Sequence, residues 1–152
     1  MATSGPCDLD RSRLEEAAAR IATDVGLELV VLFGSAARQV GARAKGLRPG
    51  DVDLGYVGGA SAEPVDLTNR FIRELALQEV DVVDLRRADP VLLLAVARDG
   101  EPLYQADPTR FARFQSLAAR RFADTRKFRS AEREEIRQFL SRRMHPDGRE
   151  ER

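Results

Sequence analysis

An apolar run of strand length, Leu27 to Phe33, is closed by Gly34-Ser35, and fifteen residues then separate Ser35 from Asp51-Val52-Asp53-Leu54. This combination restricts the fold more than any other feature of the chain. In a β-strand, residues i and i+2 point to one face, so Asp51 and Asp53 are expected to aim two carboxylates at the same region of space. Two adjacent carboxylates repel and need an offsetting charge. Hard oxygen donors in a pair suit Mg²⁺, which takes one or two carboxylates and completes its shell with substrate phosphates. The competing reading places both side chains in solvent at a sheet edge. Gly34-Ser35 favours the first, because a small-residue turn that opens a helix directly after a strand presents backbone N–H groups to a phosphate.

The remaining elements alternate. Leu14, Ala17, Ala18, Ile21 and Val25 follow the 3.6-residue period, with Asp10 placed to cap that helix and Gly26 to end it. Residues 35–46 read as a short helix fraying into a Gly- and Arg-containing loop that ends at Pro49-Gly50. Asp51 to Val57 is expected as the second strand, broken by Gly58-Gly59. A helix through Leu67, Phe71, Ile72 and Leu75 leads to a third strand, Val80 to Leu85. Asp89-Pro90 starts a helix running to about Arg98, and Pro102-Leu103-Tyr104 is a short extended piece. Asp107-Pro108 is expected to cap a helix with Phe111, Phe114, Leu117, Ala118 and Phe122 on one face. A last amphipathic segment with Ile136, Phe139 and Leu140 follows Ser130. Strands alternating with helices predict an α/β (α+β) domain with a small mixed sheet flanked by helices and a C-terminal helical extension. The expected division is a flexible leader over 1–9, a core over 10–105, the helical extension over 106–143 and a disordered tail over 144–152.

At 152 residues the chain has the size of one domain with a core of its own. Its single cysteine, Cys7, cannot form an internal disulfide, and His145, the one histidine, falls in the polar tail. No apolar run approaches the roughly 18 residues of a membrane span, so the expectation is a soluble, cytoplasmic protein. Net charge is zero, yet residues 1–109 carry 12 Lys/Arg against 18 Asp/Glu and residues 110–152 carry 13 against 7. An acidic body with a basic C-terminal part suggests a tail that meets an acidic surface, or simply a solvated basic helix. No Cys/His cluster suggests zinc, and no nucleic-acid motif accompanies the basic helices.

In-line phosphoryl or nucleotidyl transfer on two metal ions commonly uses a third carboxylate. The third strand offers Asp81 and Asp84, three residues apart and therefore on opposite faces. Spacing does not choose between them.

The order Leu32-Phe33-Gly34-Ser35-Ala36-Ala37-Arg38, Asp51-Val52-Asp53-Leu54, Val80-Asp81-Val82-Val83-Asp84-Leu85 resembles the DNA polymerase beta-like nucleotidyltransferase superfamily, and more closely its minimal nucleotidyltransferase (MNT) domains. Gly100-Glu101-Pro102-Leu103-Tyr104, Asp107, Arg110, Phe114 and the helix after them resemble the C-terminal part of MntA-type antitoxins, which are encoded beside a HEPN ribonuclease toxin. The likeness covers roughly residues 25–143. It implies a polymerase-beta-like fold in which Asp51, Asp53 and Asp81 are catalytic and hold two Mg²⁺ ions, with Asp81 helping to deprotonate the attacking hydroxyl. It implies that Gly34 and Ser35, with Arg38, bind the nucleotide. The implied activity is transfer of AMP from ATP to a tyrosine of the HEPN partner, in a hetero-oligomer. Here the spacing between Ser35 and Asp51 is longer than the usual one, and Gln39 stands where a glycine often follows the arginine. The intervening stretch carries Arg38, Arg43, Lys45 and Arg48, suited to a triphosphate or an acidic partner.

Two other readings remain. A small-molecule nucleotidyltransferase, such as one acting on aminoglycosides, uses the same carboxylates but normally adds a domain with an acidic substrate pocket; here the extension is helical and basic. A non-catalytic antitoxin acting by contact needs only an apolar face, which Phe111, Phe114, Phe122 and Phe139 would supply if exposed.

Overall fold

The computed structural model describes residues 9–41 and 52–144, with side chains described up to Arg38 in the first stretch and Ser141 in the second. Cys7, Arg43, Lys45, Arg48, Asp51 and His145 lie outside the described residues. Helix α1 (Arg11–Val25) begins where Asp10 Oδ1 accepts the Arg13 N–H at 2.9 Å and ends at Gly26, whose φ of 73° is left-handed. These are the two ends expected from the sequence: a carboxylate on orphan N–H groups, and a glycine that takes the left-handed cap without a Cβ penalty. Strand β1 (Leu27–Phe33) leads into α2 (Gly34–Gly41), then β2 (Asp53–Gly58), α3 (Pro64–Leu75), β3 (Asp81–Asp84), α4 (Pro90–Asp99), β4 (Glu101–Gln105), α5 (Arg110–Asp124) and α6 (Arg126–Met144).

The four strands form one mixed sheet in the order β3-β2-β1-β4. β1 pairs antiparallel with β2 and β4, while β2 pairs parallel with β3, the crossover being α3. Central position explains the near-continuous apolar run of β1, because a strand covered on both faces has no polar side. Val30 and Leu32 join Leu54 and Tyr56 against α1 and α3, where Leu14, Ala18, Leu67 and Phe71 are buried. On the other face, Leu29 and Val31 meet Leu85, Leu93, Val96 and Phe114 beneath α4 and α5. Leu27 lies on the same face as Val30 despite being three residues away. An irregularity in the pairing between Leu27 and Leu29 supplies the missing half-step.

Three local expectations change. Asp107 does not cap α5 directly: it accepts from Thr109 N at 2.9 Å and Thr109 Oγ1 at 2.6 Å, shaping the turn before the helix, and Thr109 occupies the cap. The last helix starts at Arg126, upstream of Ser130, because Arg129 ties the junction together. Its guanidinium lies 3.6 Å from the centre of the Phe122 ring and donates to Thr125 Oγ1 at 2.6 Å and Phe122 O at 2.8 Å. The aromatic stripe also divides. Phe114 is core, Phe111 packs beside it, Phe122 is half-buried, and Phe139 is exposed with Phe128, Ile136 and Leu140. Among the described residues, no helix is long and apolar enough to cross a membrane.

Candidate active site

Three strand ends meet at one edge of the sheet. Phe33, the last residue of β1, is the register partner of Asp53, and Asp53, the first of β2, is the register partner of Asp81, the first of β3. Residues at one register position share a face, and neighbouring strands run about 4.8 Å apart, so the two carboxylates are within reach of a single ion. The choice that spacing leaves open is thus made by pairing. Asp81 stands beside Asp53, while Asp84 pairs with Tyr56 and faces the other way.

The turn after β1 adds backbone to this edge. Gly34 has φ 72°, in the region that favours glycine, and a Cβ built there would overlap Asp53 Oδ2. Glycine is therefore required twice over, once by its dihedral and once by the carboxylate pressed against it. Ser35 follows, exposed at the first turn of α2, and Arg38 is exposed one turn further on. Arg38 also lies near the end of α4, where Asp99 has its carboxyl held below the usual range, first by the hydrogen bond from Arg98 and further by the charge of Arg38.

Asp53 and Asp81 open onto a hollow of about 470 Å³, walled by the start of α3 (Val65, Thr68, Asn69) and by Leu92 of α4. Sequence reasoning missed Thr68 and Asn69 because α3 declares itself only through its apolar face. Their polar positions, directly after Leu67 on the helix, carry no signal of what they border. The Asp81 side chain makes no hydrogen bond or ion pair among the described residues, and no set of three metal-binding side chains occurs among them. Two hard oxygen donors in register, one of them against a glycine turn, are a donor set that fits Mg²⁺.

The opposite end of β3 has a different character. Asp84 is 7 % exposed and accepts from the Arg86 backbone N–H at 2.9 Å, Arg86 Nε at 3.0 Å and Arg86 Nη2 at 2.9 Å. Burial pushes its carboxyl up, but the Arg86 hydrogen bonds outweigh burial and leave it below the usual carboxylate range. Tyr56 is core: its hydroxyl donates to Ala62 O at 3.1 Å, and burial, with the Asp84 charge, raises its pKa.

No protein-family model and no curated protein matches this chain. Solved structures do. A crystal structure of the MntA–HepT toxin–antitoxin complex superposes with a TM-score of 0.64 at 20% identity, over 82% of this chain and 97% of that one. A crystal structure of the toxin–antitoxin with AMP-PNP gives 0.65 at 23% identity, over 80% and 97%. A tri-AMPylated Shewanella oneidensis HEPN toxin in complex with its MNT antitoxin gives 0.64 at 21% identity, over 83% and 98%. The four-stranded mixed sheet flanked by helices is therefore the fold of the MNT antitoxins in these complexes.

Proposed function

We propose that this chain is an MNT-type antitoxin that transfers AMP from ATP to a tyrosine of a partner HEPN ribonuclease toxin and so neutralises it, in the cytoplasm and within a hetero-oligomer. The observation that carries this reading is the register of Asp53 with Asp81 beside the Gly34 turn. It gains support from the neighbours with the same fold, one holding AMP-PNP and one bound to a toxin carrying three AMP groups. A further neighbour carries two Asp-to-Glu replacements separated by one residue, the spacing of Asp51 and Asp53 here.

In this reading Gly34 and Ser35 hold the terminal phosphates through backbone N–H groups, and Arg38 supplies positive charge beside them. Asp51, Asp53 and Asp81 would hold two Mg²⁺ ions, which neutralise the triphosphate and acidify the incoming hydroxyl. Asp81 sits on the exposed side, where it can take the tyrosine proton. The phenolic oxygen forms a bond to the α-phosphorus, the bond from that phosphorus to the β-phosphate oxygen breaks, and pyrophosphate leaves. The chain's own contribution is placement of charge.

The test is intact mass spectrometry of the co-expressed partner after incubation with this protein, ATP and Mg²⁺, beside an Asp51→Ala, Asp53→Ala double variant. One or more AMP units on a partner tyrosine, absent with the variant, is the expected result. A stable complex with no added mass would overturn the enzymatic reading in favour of neutralisation by contact. Phe128 at 77% and Phe139 at 57% exposure on α6, with Ile136 and Leu140, give that second reading structural support.

A further inference from the structure

A partly enclosed cavity lies away from the aspartates, at the far end of β2, where about 300 Å³ opens between the sheet and α5. Four residue steps along the strand, from Asp53 to Val57, separate the two sites, which at about 3.3 Å per step is roughly 13 Å. Its floor is apolar: Val57, Leu85, Leu93 and Phe114 belong to the second core cluster, and Leu117 on α5 forms an exposed lip. Three arginines stand around it, Arg86 after β3 and Arg110 and Arg121 on α5, against one carboxylate, Glu28.

The charges do not cancel. Glu28 Oε2 accepts from Arg110 Nε at 2.9 Å, which leaves both Nη groups of Arg110 without a hydrogen bond among the described residues. Arg86 spends Nε and Nη2 on Asp84 and retains Nη1. Arg121 makes no ion pair among the described residues. A guanidinium offers five donors in a fixed fork, so several remain available around an apolar floor that one aliphatic or aromatic group can cover. Volume, apolar lining and a few convergent polar groups are the attributes of a small-molecule site.

We infer that this cavity binds a small amphipathic anion, an aromatic or branched apolar body bearing one anionic group, with the body against Leu93 and Phe114 and the anion at Arg110 and Arg121. The site is separate from the aspartate edge, and its occupation needs neither ATP nor a partner protein.

The probe is 1-anilinonaphthalene-8-sulfonate, an aromatic sulfonate whose fluorescence rises in an apolar site, titrated into the full chain. Saturable binding at one site per chain is expected, weakened tenfold or more by Arg121→Glu and by Leu117→Glu. Both positions are exposed, so each variant keeps the wild-type circular dichroism. Phenylpropionate is expected to displace the probe and phenylpropanol to do so at least tenfold less well. The exposed apolar face of α6 is the obvious rival for the dye, and Phe139→Ser separates the two. Binding lost in Phe139→Ser but intact in Arg121→Glu and Leu117→Glu would overturn the inference, as would equal displacement by acid and alcohol, or no saturable binding.

Discussion

Both ends of β3 carry an aspartate, and the two ends treat it in opposite ways. Asp84 is buried and surrounded by donors from Arg86, so its charge is answered inside the protein. Asp81 is exposed and stands beside a second carboxylate and a glycine turn, with no cationic side chain paired to it among the described residues. A carboxylate whose counter-charge is built in serves the fold; one placed next to another carboxylate asks for a charge from outside. On the proposed function, the comparison explains how one short strand can be structural at its end and catalytic at its start.

The largest expected effect lies at the open end. On the proposed activity, Asp81→Ala should lower AMP transfer to the partner by about a thousandfold or more, equivalent to about 4 kcal/mol in the barrier. Removing an exposed side chain should leave stability within about 0.5 kcal/mol. Initial rates and urea unfolding on the same preparation check both halves. Loss of stability comparable to that of an Asp84 variant would erase the distinction between the two ends.

The closed end should behave inversely. Asp84→Ala deletes a buried acceptor of charged hydrogen bonds and should cost about 2 kcal/mol of stability. The Arg86 side chain is 43% exposed, so its charge is resolvated and the cost stays below that of breaking a fully buried pair. Transfer measured well below the unfolding midpoint should remain within a few fold of wild type. Gly34→Ala comes next. A left-handed φ with a Cβ costs about 1 to 2 kcal/mol, and the methyl must also displace Asp53. Chemical denaturation should show that cost and the transfer assay a fall in rate, whereas an Ala substitution at Ser35 should show no change in stability.

How much of this was readable beforehand differs by kind of interaction. Local rules located α1 with both caps, Asp10 and Gly26, and the start of α4 at Asp89-Pro90, because capping depends on neighbours in sequence. The candidate role of Asp81 over Asp84 was not readable from spacing, since register between β2 and β3 is set by a parallel pairing across all of α3. The irregularity at Leu27 to Leu29 left no trace in an apolar run, where either parity looks buried. Phe114 and Phe139 share a residue type and a helical period, yet one is core and the other exposed. The difference lies in which helix rests on the sheet: α5 does, and the main packing partner of α6 among the described residues is α5. Arg86 was visible two residues after Asp84, a spacing that bends back at a strand end, but only burial shows that the pair answers a charge.

The smallest effect tests that answer directly through pH. The Asp84 carboxyl titrates below its ordinary value in the folded protein, and in the unfolded chain near about 3.9. A depressed carboxylate contributes stability that is fully present above the unfolded value and is lost as pH falls through the folded one. Asp84→Asn keeps the shape and removes the titration. The stability gap between wild type and Asp84→Asn should therefore be constant from about pH 5 to 7 and shrink as pH is lowered past about 4. Urea midpoints at several pH values measure it, at low salt and again at high salt. Arg86 and Arg87 both face the carboxylate, so part of the gap should survive screening at the buried contact and part, from the 81% exposed Arg87, should not. A gap that stays constant down to pH 3 would mean that Asp84 is held by shape alone, and the contrast between the two ends of β3 would lose its electrostatic basis.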